Sequence, residues 1–395
     1  MDDHRRLGRE LELFHSAPLV GAGLPIWLPD GAAARHAVEC YIREEERRAG
    51  YRHVYSPPLA RREMYERSGH LAHFADDMFP GIPDGDGELF LRPSLCPHHA
   101  MVYAARGRSY RDLPLRIAEL GPMYRAERSG VLGGLSRVRA ISLNDAHIFC
   151  TPEQAGAEVT GVLDMIVRAY RALGIPDAQY RLSLPREGDG GPAAEILRGA
   201  LEEAGIRYGE APGEAAFYGP KIDVQVVDSA GREWTLSTVQ VDFHQPARFG
   251  LSYVDHNGDR PRPVLVHRSV IGSLERLFAH LIEVHGGAFP VWYAPVQVVI
   301  LSVGGSEAAA ADEFGSRCLA ASLRAEVEHD GPVGARVRAA LNRKVPYVAV
   351  IGSREAATGA VALRSRGGGR LAPMPIERAI RLIQEEVAAK LSGSI

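Results

Sequence analysis

The sequence predicts a two-domain chain, a larger α+β body followed by a smaller α/β domain. Three observations carry this. The chain has 395 residues, enough for two or three separate cores. After Ala294-Pro295 strands and helices alternate regularly: strand 296–303, helix 306–321, strand 324–328, helix 333–342, strands 347–351 and 360–364, helix 376–392. That rhythm is the mark of an α/β unit of about 100 residues. Before the boundary the rhythm is irregular, and residues 108–150 read as strand, polar Gly-rich loop, strand. The expected division is 1–293 and 294–395.

Within the body, residues 31–49 are rich in Ala, Glu and Arg and predict a helix. A short strand over 51–55 stops at Pro57-Pro58, which cannot continue a central ladder. Residues 59–75 look helical, a Gly-Asp-Gly turn at 85–87 precedes a strand at 89–92, and Pro93 to His99 starts another helix. Thr151-Pro152-Glu153 is an N-cap with Pro at the first helical position, opening a long helix over 152–173. A helix at 193–204, strands at 221–227 and 232–241 and a helix at 270–285 follow.

Composition excludes several classes. The chain is 46% hydrophobic and 24% charged, as ordinary globular proteins are. No apolar run reaches the roughly 18 residues of a membrane span. The start, MDDHRRLGRELELF, is too charged for a signal peptide, and four scattered cysteines make no disulfide framework. A cytoplasmic location is the default expectation. The net charge of −3 gives no whole-chain nucleic-acid signal, but it is uneven. From Tyr293 onward 13 Lys+Arg face 10 Asp+Glu, leaving 33 against 39 for the rest. A mildly basic tail is compatible with RNA contact.

The candidate site lies in 108–150. The first strand is expected to carry Arg125 and Glu127 on one face, since side chains alternate along a strand. The second, from about Arg137 to His147, is expected to bring Arg139, Asp145 and His147 onto one pleat face. Arginines, an acid and a histidine do not make a core face. They make a floor for an anionic ligand such as a nucleotide, with a metal ligand at one end.

RSYRDLPLR (108–116), NDAHIFC (144–150), AFYGPKID (216–223), TVQVDF (238–243) and HRSVIGSLERL (267–277) together resemble the threonyl-tRNA synthetases, a family of class II aminoacyl-tRNA synthetases. The likeness covers nearly the whole chain. It implies a six- to seven-stranded antiparallel sheet with flanking helices, then an α/β anticodon-binding domain. The chain is expected to begin at the catalytic core, with no room for the family's N-terminal editing region. The implied activity is activation of threonine with ATP and transfer to tRNA(Thr), by a homodimer pairing through residues 31–58.

The resemblance implies one zinc ion per chain on Cys96, His147 and His267, a donor set that leaves the open position a catalytic site needs. Asp145, Tyr218, Lys221 and Leu143 would line the amino-acid pocket, with Asp145 taking the substrate hydroxyl. Arg125 would hold the α-phosphate and the substrate carboxylate, Arg276 the γ-phosphate and Glu127 the adenine amino group. Arg137, Ile141, Gln240 and Ser273 would complete the ATP site, and Mg²⁺ would neutralise the polyphosphate. His98 and His99 read as helix-start residues, not ligands.

The chain departs from the family pattern in the pocket. Leu143 stands where Gln is usual, and Ile141 where an aromatic stacks on adenine. Ser94, Leu95 and His98 replace Met, Asn and Gly; Thr235, Leu236 and Ser237 replace Gln, Cys and Gly. Asp330 stands in place of an anticodon-reading Asn, and an Arg-rich loop is reduced to SRGGG at 365–369. Three readings therefore stay open. The first is a threonine-activating enzyme that loads tRNA. The second is a specialised paralog that adenylates threonine or a related β-hydroxy or β-amino acid and passes it to a non-tRNA acceptor such as a carrier protein. The third is a non-catalytic regulatory or RNA-binding protein.

Overall fold

The computed structural model describes residues 3–176 and 178–390. Helix α1 (His4–Glu10) opens the chain, and a two-residue hairpin, β1 (Phe14–His15) with β2 (Ile26–Trp27), follows. Neither has enough periodicity to be legible in the sequence. Helix α2 (Pro29–Arg48) fills the expected 31–49 stretch. Pro29 occupies the first turn, where its missing N–H costs nothing, and Arg47 and Arg48 complement the dipole at the far end. Ala34, Val38, Tyr41 and Ile42 form its buried face.

The expected strand over 51–55 is the shorter β3 (Arg52–His53), and the expected helix over 59–75 is instead β4 (Leu59–Arg61), α3 (Arg62–Ser68) and α4 (His70–Phe74). Gly69 divides the last two by taking φ +87, a left-handed turn that a helix cannot pass through. β5 (Ile82–Asp84) and β6 (Gly87–Leu91) make the expected hairpin and join β4 in a small sheet; α5 (Cys96–Ala104) follows.

The long strands β7 (Leu115–Tyr124) and β8 (Ala140–Cys150) pair antiparallel. After them come α6 (Ala155–Leu173), β9 (Gln179–Leu184), α7 (Gly191–Glu203), β10 (Tyr208–Pro212), β11 (Lys221–Val227), β12 (Glu233–Asp242), α8 (Gln245–Arg248), β13 (Val264–Ser269) and α9 (Leu274–Val284). The sheet has eight strands, in the order β10-β9-β11-β12-β13-β8-β7-β3. Its interior pairings are antiparallel; β10 joins β9 and β3 joins β7 in parallel. The expected six or seven strands fall short because the two edges are short and polar, as edge strands commonly are.

The tail carries β14 (Val298–Ser302), α10 (Ala308–Ala320), β15 (Ala325–Glu328), α11 (Val333–Asn342), β16 (Tyr347–Ile351), α12 (Ser353–Thr358), β17 (Ala360–Ser365), β18 (Met374–Pro375) and α13 (Ile376–Ala389). Its five-stranded sheet runs β15-β14-β16-β17-β18, with β14 parallel to both neighbours. Helix α12 spans under two turns, too short to show a period. Residues 391–392 of the expected last helix lie outside the described residues.

The eight-stranded sheet has two unlike faces. Ala146, Ile148, Ile222, Val224, Val239, Val241 and Val266 face the core formed with α2, α6, α7 and α9. Buried among them is a polar knot. Arg268 on β13 donates to Glu46 of α2 (2.7 Å) and to Asn144 of β8 (3.3 Å), Asn144 donates to Glu46 (2.8 Å), and His53 lies 2.7 Å from the same carboxylate. The Arg268 and Glu46 side chains are 0% and 1% exposed. Removing one partner of such a pair strands a buried charge. Arg268→Ala is therefore expected to destabilise the chain by about 3–5 kcal/mol in denaturant unfolding. A loss under about 1 kcal/mol would contradict a sealed pair.

Candidate active site

The opposite face holds the chemistry. Register places Lys221, Gln240, His267 and His147 side by side across β11, β12, β13 and β8. Along β8 the alternation puts Ile141, Leu143 and Asp145 in line with His147. These side chains floor a cleft of about 490 Å³. All fourteen residues singled out for zinc, ATP or amino acid line it: Cys96, Arg125, Glu127, Arg137, Ile141, Leu143, Asp145, His147, Tyr218, Lys221, Gln240, His267, Ser273 and Arg276.

At one end stand Cys96, His147 and His267, whose donor atoms lie within 4.8 Å of one another. Cys96 begins α5, which covers this end of the sheet; Tyr218 stacks on the His267 ring at 5.1 Å. The hydrogen bonds behind the triad decide what it can hold. His267 Nε2 meets Asp242 Oδ2 at 2.8 Å, so the neutral ring keeps a lone pair on Nδ1. His99 Nε2 meets Glu119 Oε2 at 3.2 Å, and its Nδ1 meets His147 Nδ1 at 2.7 Å. With His99 Nε2–H donating to the Glu119 carboxylate, His147 Nδ1–H donates to His99 Nδ1 and keeps a lone pair on Nε2. The two lone pairs face each other at 3.0 Å beside the cysteine. Two nitrogens on a tetrahedral zinc lie about 3.3 Å apart, so these donors fit a cation with little adjustment. Asp242 directly behind His267, and Glu119 behind His147 through His99, fix these tautomers as outer partners of metal ligands do.

Burial sets the charge states. It pushes the Cys96 thiol far above its usual range and drives His147 well below its own, so without a cation both are neutral. Burial also lifts Asp145 to about 6. Burial opposes ionisation of Glu119 too, but His99, Ser56 and Arg92 outweigh it and hold the carboxyl at about 2. Glu119 thus stabilises the fold fully above about pH 4.5, and the contribution fades as pH falls toward 2.

The other end is cationic. Arg125 is exposed to the cleft, and its guanidinium has no hydrogen bond or ion pair among the described residues. Arg276, in the first turn of α9, donates to Ser136 O (3.2 Å) and Thr235 O (2.9 Å). Helix α9 begins later than expected, at Leu274. Ser273 caps it by accepting from Arg276 N, and Gly272 at φ +66 passes so close to Leu236 O that a Cβ would come within 2.2 Å.

Two expectations about this end are corrected. β7 ends at Tyr124 and β8 begins at Ala140, so Arg125, Glu127 and Arg137 stand on the connecting loop rather than the pleat. Arg125 N–H makes the last ladder bond, to Arg139 O, and the next N–H turns away to Asp77 O. Arg139 is no floor residue. Its guanidinium binds Glu127 O, Ala22 O and Ser129 Oγ, tying the loop to the chain near the start of the body. Arg137 pairs with Glu127 at 2.9 Å.

Between the ends the walls are Ile141, Leu143, Leu236 and Tyr218, with Lys221 paired to Asp223 at 2.8 Å. Gln240 Oε1 is buried without a partner among the described residues, an acceptor on the wall of the cleft. Sequence reasoning missed Glu119, His99 and Asp242 as supports. Asp242 shares the alternation Thr238, Gln240, Asp242 of TVQVDF, which could have revealed it; nothing local marks Glu119. It also missed His70 and Asp77, which line the cleft from α4 and the turn after it.

Comparison with known proteins agrees with this architecture. Residues 81–285 match the tRNA synthetase class II core domain (G, H, P, S and T), and 297–386 match the anticodon binding domain. The Threonine--tRNA ligase of Thermus thermophilus is 46% identical over 388 residues, 95% of this chain and 59% of that protein. That of Levilactobacillus brevis is 44% identical over 400 residues, 98% of this chain and 62% of that protein. The chain thus spans about six tenths of the length of these relatives. The crystal structure of the RNA binding domain of threonyl-tRNA synthetase from Cryptosporidium parvum Iowa II superposes with TM-score 0.92 at 33% identity, covering 97% of this chain and 98% of that one. With a core domain, an anticodon-binding domain and threonine--tRNA ligases as relatives, this chain belongs to the class II tRNA synthetase family.

Proposed function

We propose that the protein activates threonine with ATP and transfers it to tRNA(Thr). The supporting observation is the polarity of one cleft, with paired imidazole lone pairs and a cysteine beside Asp145 at one end and Arg125 and Arg276 at the other. The amino-acid carboxylate attacks the α-phosphorus, the bond to the bridging oxygen breaks, and pyrophosphate leaves with that electron pair. Arg125 holds the carboxylate and the α-phosphate, where charge grows in the transition state. Arg276 and Arg137 hold the leaving polyphosphate, which Mg²⁺ helps to neutralise. Glu127 takes the adenine amino group, Ile141 meets the ring, and Ser273 and Gln240 complete the nucleotide site. Cys96, His147 and His267 would hold zinc, which when bound supplies a Lewis acid with an open position for the amino and β-hydroxyl groups of the substrate. Asp145 accepts from that hydroxyl, and Tyr218, Lys221 and Leu143 enclose the rest. Two copies pair through residues 31–58.

A second reading is favoured by Leu143, a side chain without hydrogen-bonding atoms facing the amino-acid end. It keeps the adenylation but takes a related β-hydroxy or β-amino acid, or a non-tRNA acceptor. ATP–pyrophosphate exchange across a panel of amino acids, with tRNA charging in parallel, separates the two. Threonine-dependent exchange with charging is the expected result. Exchange without charging would favour the second, and no exchange with any amino acid would sink both.

A further inference from the structure

The turn that delivers Arg137 to the cleft is docked on the first helix of the chain. We propose that His4 is a positioning residue for the polyphosphate end of the cleft. The inference rests on the nucleotide reading above.

Residues 133–137 form a tight turn. Gly133 N–H donates to Arg137 O (3.2 Å), and the backbone N–H and hydroxyl of Ser136 both reach back to Gly133 O (2.9 and 2.6 Å). At its tip Leu135 is buried, and its N–H donates to His4 Nε2 at 3.2 Å. Because Nε2 accepts, the proton of the neutral ring sits on Nδ1, which donates to Glu283 Oε1 at 2.7 Å. Glu283 also accepts from the backbone N–H groups of His4 and Ser229. His4 therefore bridges α9 and the turn, and it is only 4% exposed.

The fit is close. Gly134 has φ +59, and a Cβ there would lie 2.4 Å from His4 Nε2 and 2.6 Å from Arg5 Cγ. The turn reaches α1 this closely because position 134 carries no side chain. On the other side Arg276 grips Ser136 O. Three successive residues are thus specified: Leu135 by His4, Ser136 by Arg276, and then Arg137, which enters the cleft. Without His4 the Leu135 N–H is buried and unpaired, and the turn relaxes under both arginines. Asp145 and His147 lie on the β8 pleat and do not depend on this contact.

Asp3, His4 and Glu283 also bring donor atoms within metal-binding reach of one another. The hydrogen bonds assign them otherwise. Arg5 takes both oxygens of Asp3, and both ring nitrogens of His4 are already used.

The test compares His4→Ala and His4→Gln with the unmodified chain, reading binding of a non-hydrolysable ATP analogue and the KM values for ATP and amino acid in pyrophosphate exchange. His4→Ala is expected to weaken the analogue and raise the ATP KM about tenfold, while the amino-acid KM moves less than about twofold. His4→Gln, whose side-chain oxygen reaches the Nε2 position, is expected to recover most of the loss. Unchanged analogue binding, or equal effects on both substrates, would overturn the inference. If His4→Ala does not fold, Gly134→Ala strains the same contact and is judged by the same selectivity. Failure of the unmodified chain to bind the analogue would overturn the nucleotide reading itself and this inference with it. Binding by the unmodified chain that persists in both variants would overturn the inference alone.

Discussion

Arg125→Ala is expected to slow ATP-dependent activation of the amino acid about a hundred- to a thousandfold, with kcat falling more than the ATP KM rises. The cause is geometric. The other arginines bordering the cleft are engaged: Arg137 with Glu127, Arg268 with Glu46 and Asn144, Arg276 with two backbone carbonyls. Among the described residues Arg125 alone of the cleft arginines has its guanidinium free of protein partners, while its backbone N–H is pinned to Arg139 O. A donor fork held in place but left open stabilises charge that appears only as the carboxylate reaches the phosphorus. Arg125→Lys restores charge without the fork and is expected to recover only part of the rate. Steady-state ATP–pyrophosphate exchange at varied ATP measures both parameters, and a loss under about threefold would count against the assignment.

Cys96→Ser is expected to abolish activation and empty the metal site. A serine hydroxyl does not ionise in this range, so the site loses the one ligand that could neutralise part of a dication's charge. The burial that disfavours a free Cys96 thiolate makes the point sharper, since only a bound cation can hold that charge there. Zinc content by elemental analysis and exchange activity should fall together. Exchange at the unmodified rate by a metal-free Cys96→Ser protein would refute the metal's role. His99→Ala, which leaves the three donors in place but frees the His147 tautomer, is expected to weaken metal binding less than Cys96→Ser does.

The residues that face one another across strands were the most legible. Ile141, Leu143, Asp145 and His147 recur at every second position, and a period of two projects onto one face without knowledge of the fold. Most of the tail was legible for a like reason, since its longer helices and strands show their periods, while α12 and β18 are too short to do so. What could not be read is set by contacts distant in sequence. Arg125 and Glu127 keep strand-like spacing but stand beyond the last ladder bond, because a strand's end is decided by where its partner turns away. Glu119 is an ordinary acid on β7 until α5 lays His99 across it. His4 sits in a seven-residue helix whose importance comes from a turn 131 positions away.

β13 carries opposite requirements on adjacent residues. His267 points into the cleft between His147 and Asp242, and Arg268 points through the sheet to Glu46. Sliding this strand by one position would put a guanidinium beside the His147 and Cys96 donor atoms and would set an imidazole against a sealed carboxylate. In most strands a one-residue slip is opposed by hydrophobic burial on one face. Here the two faces veto it independently, each through charge. The chain therefore checks its own alignment before any substrate arrives, and a wrongly threaded sheet has no means of resembling a working one.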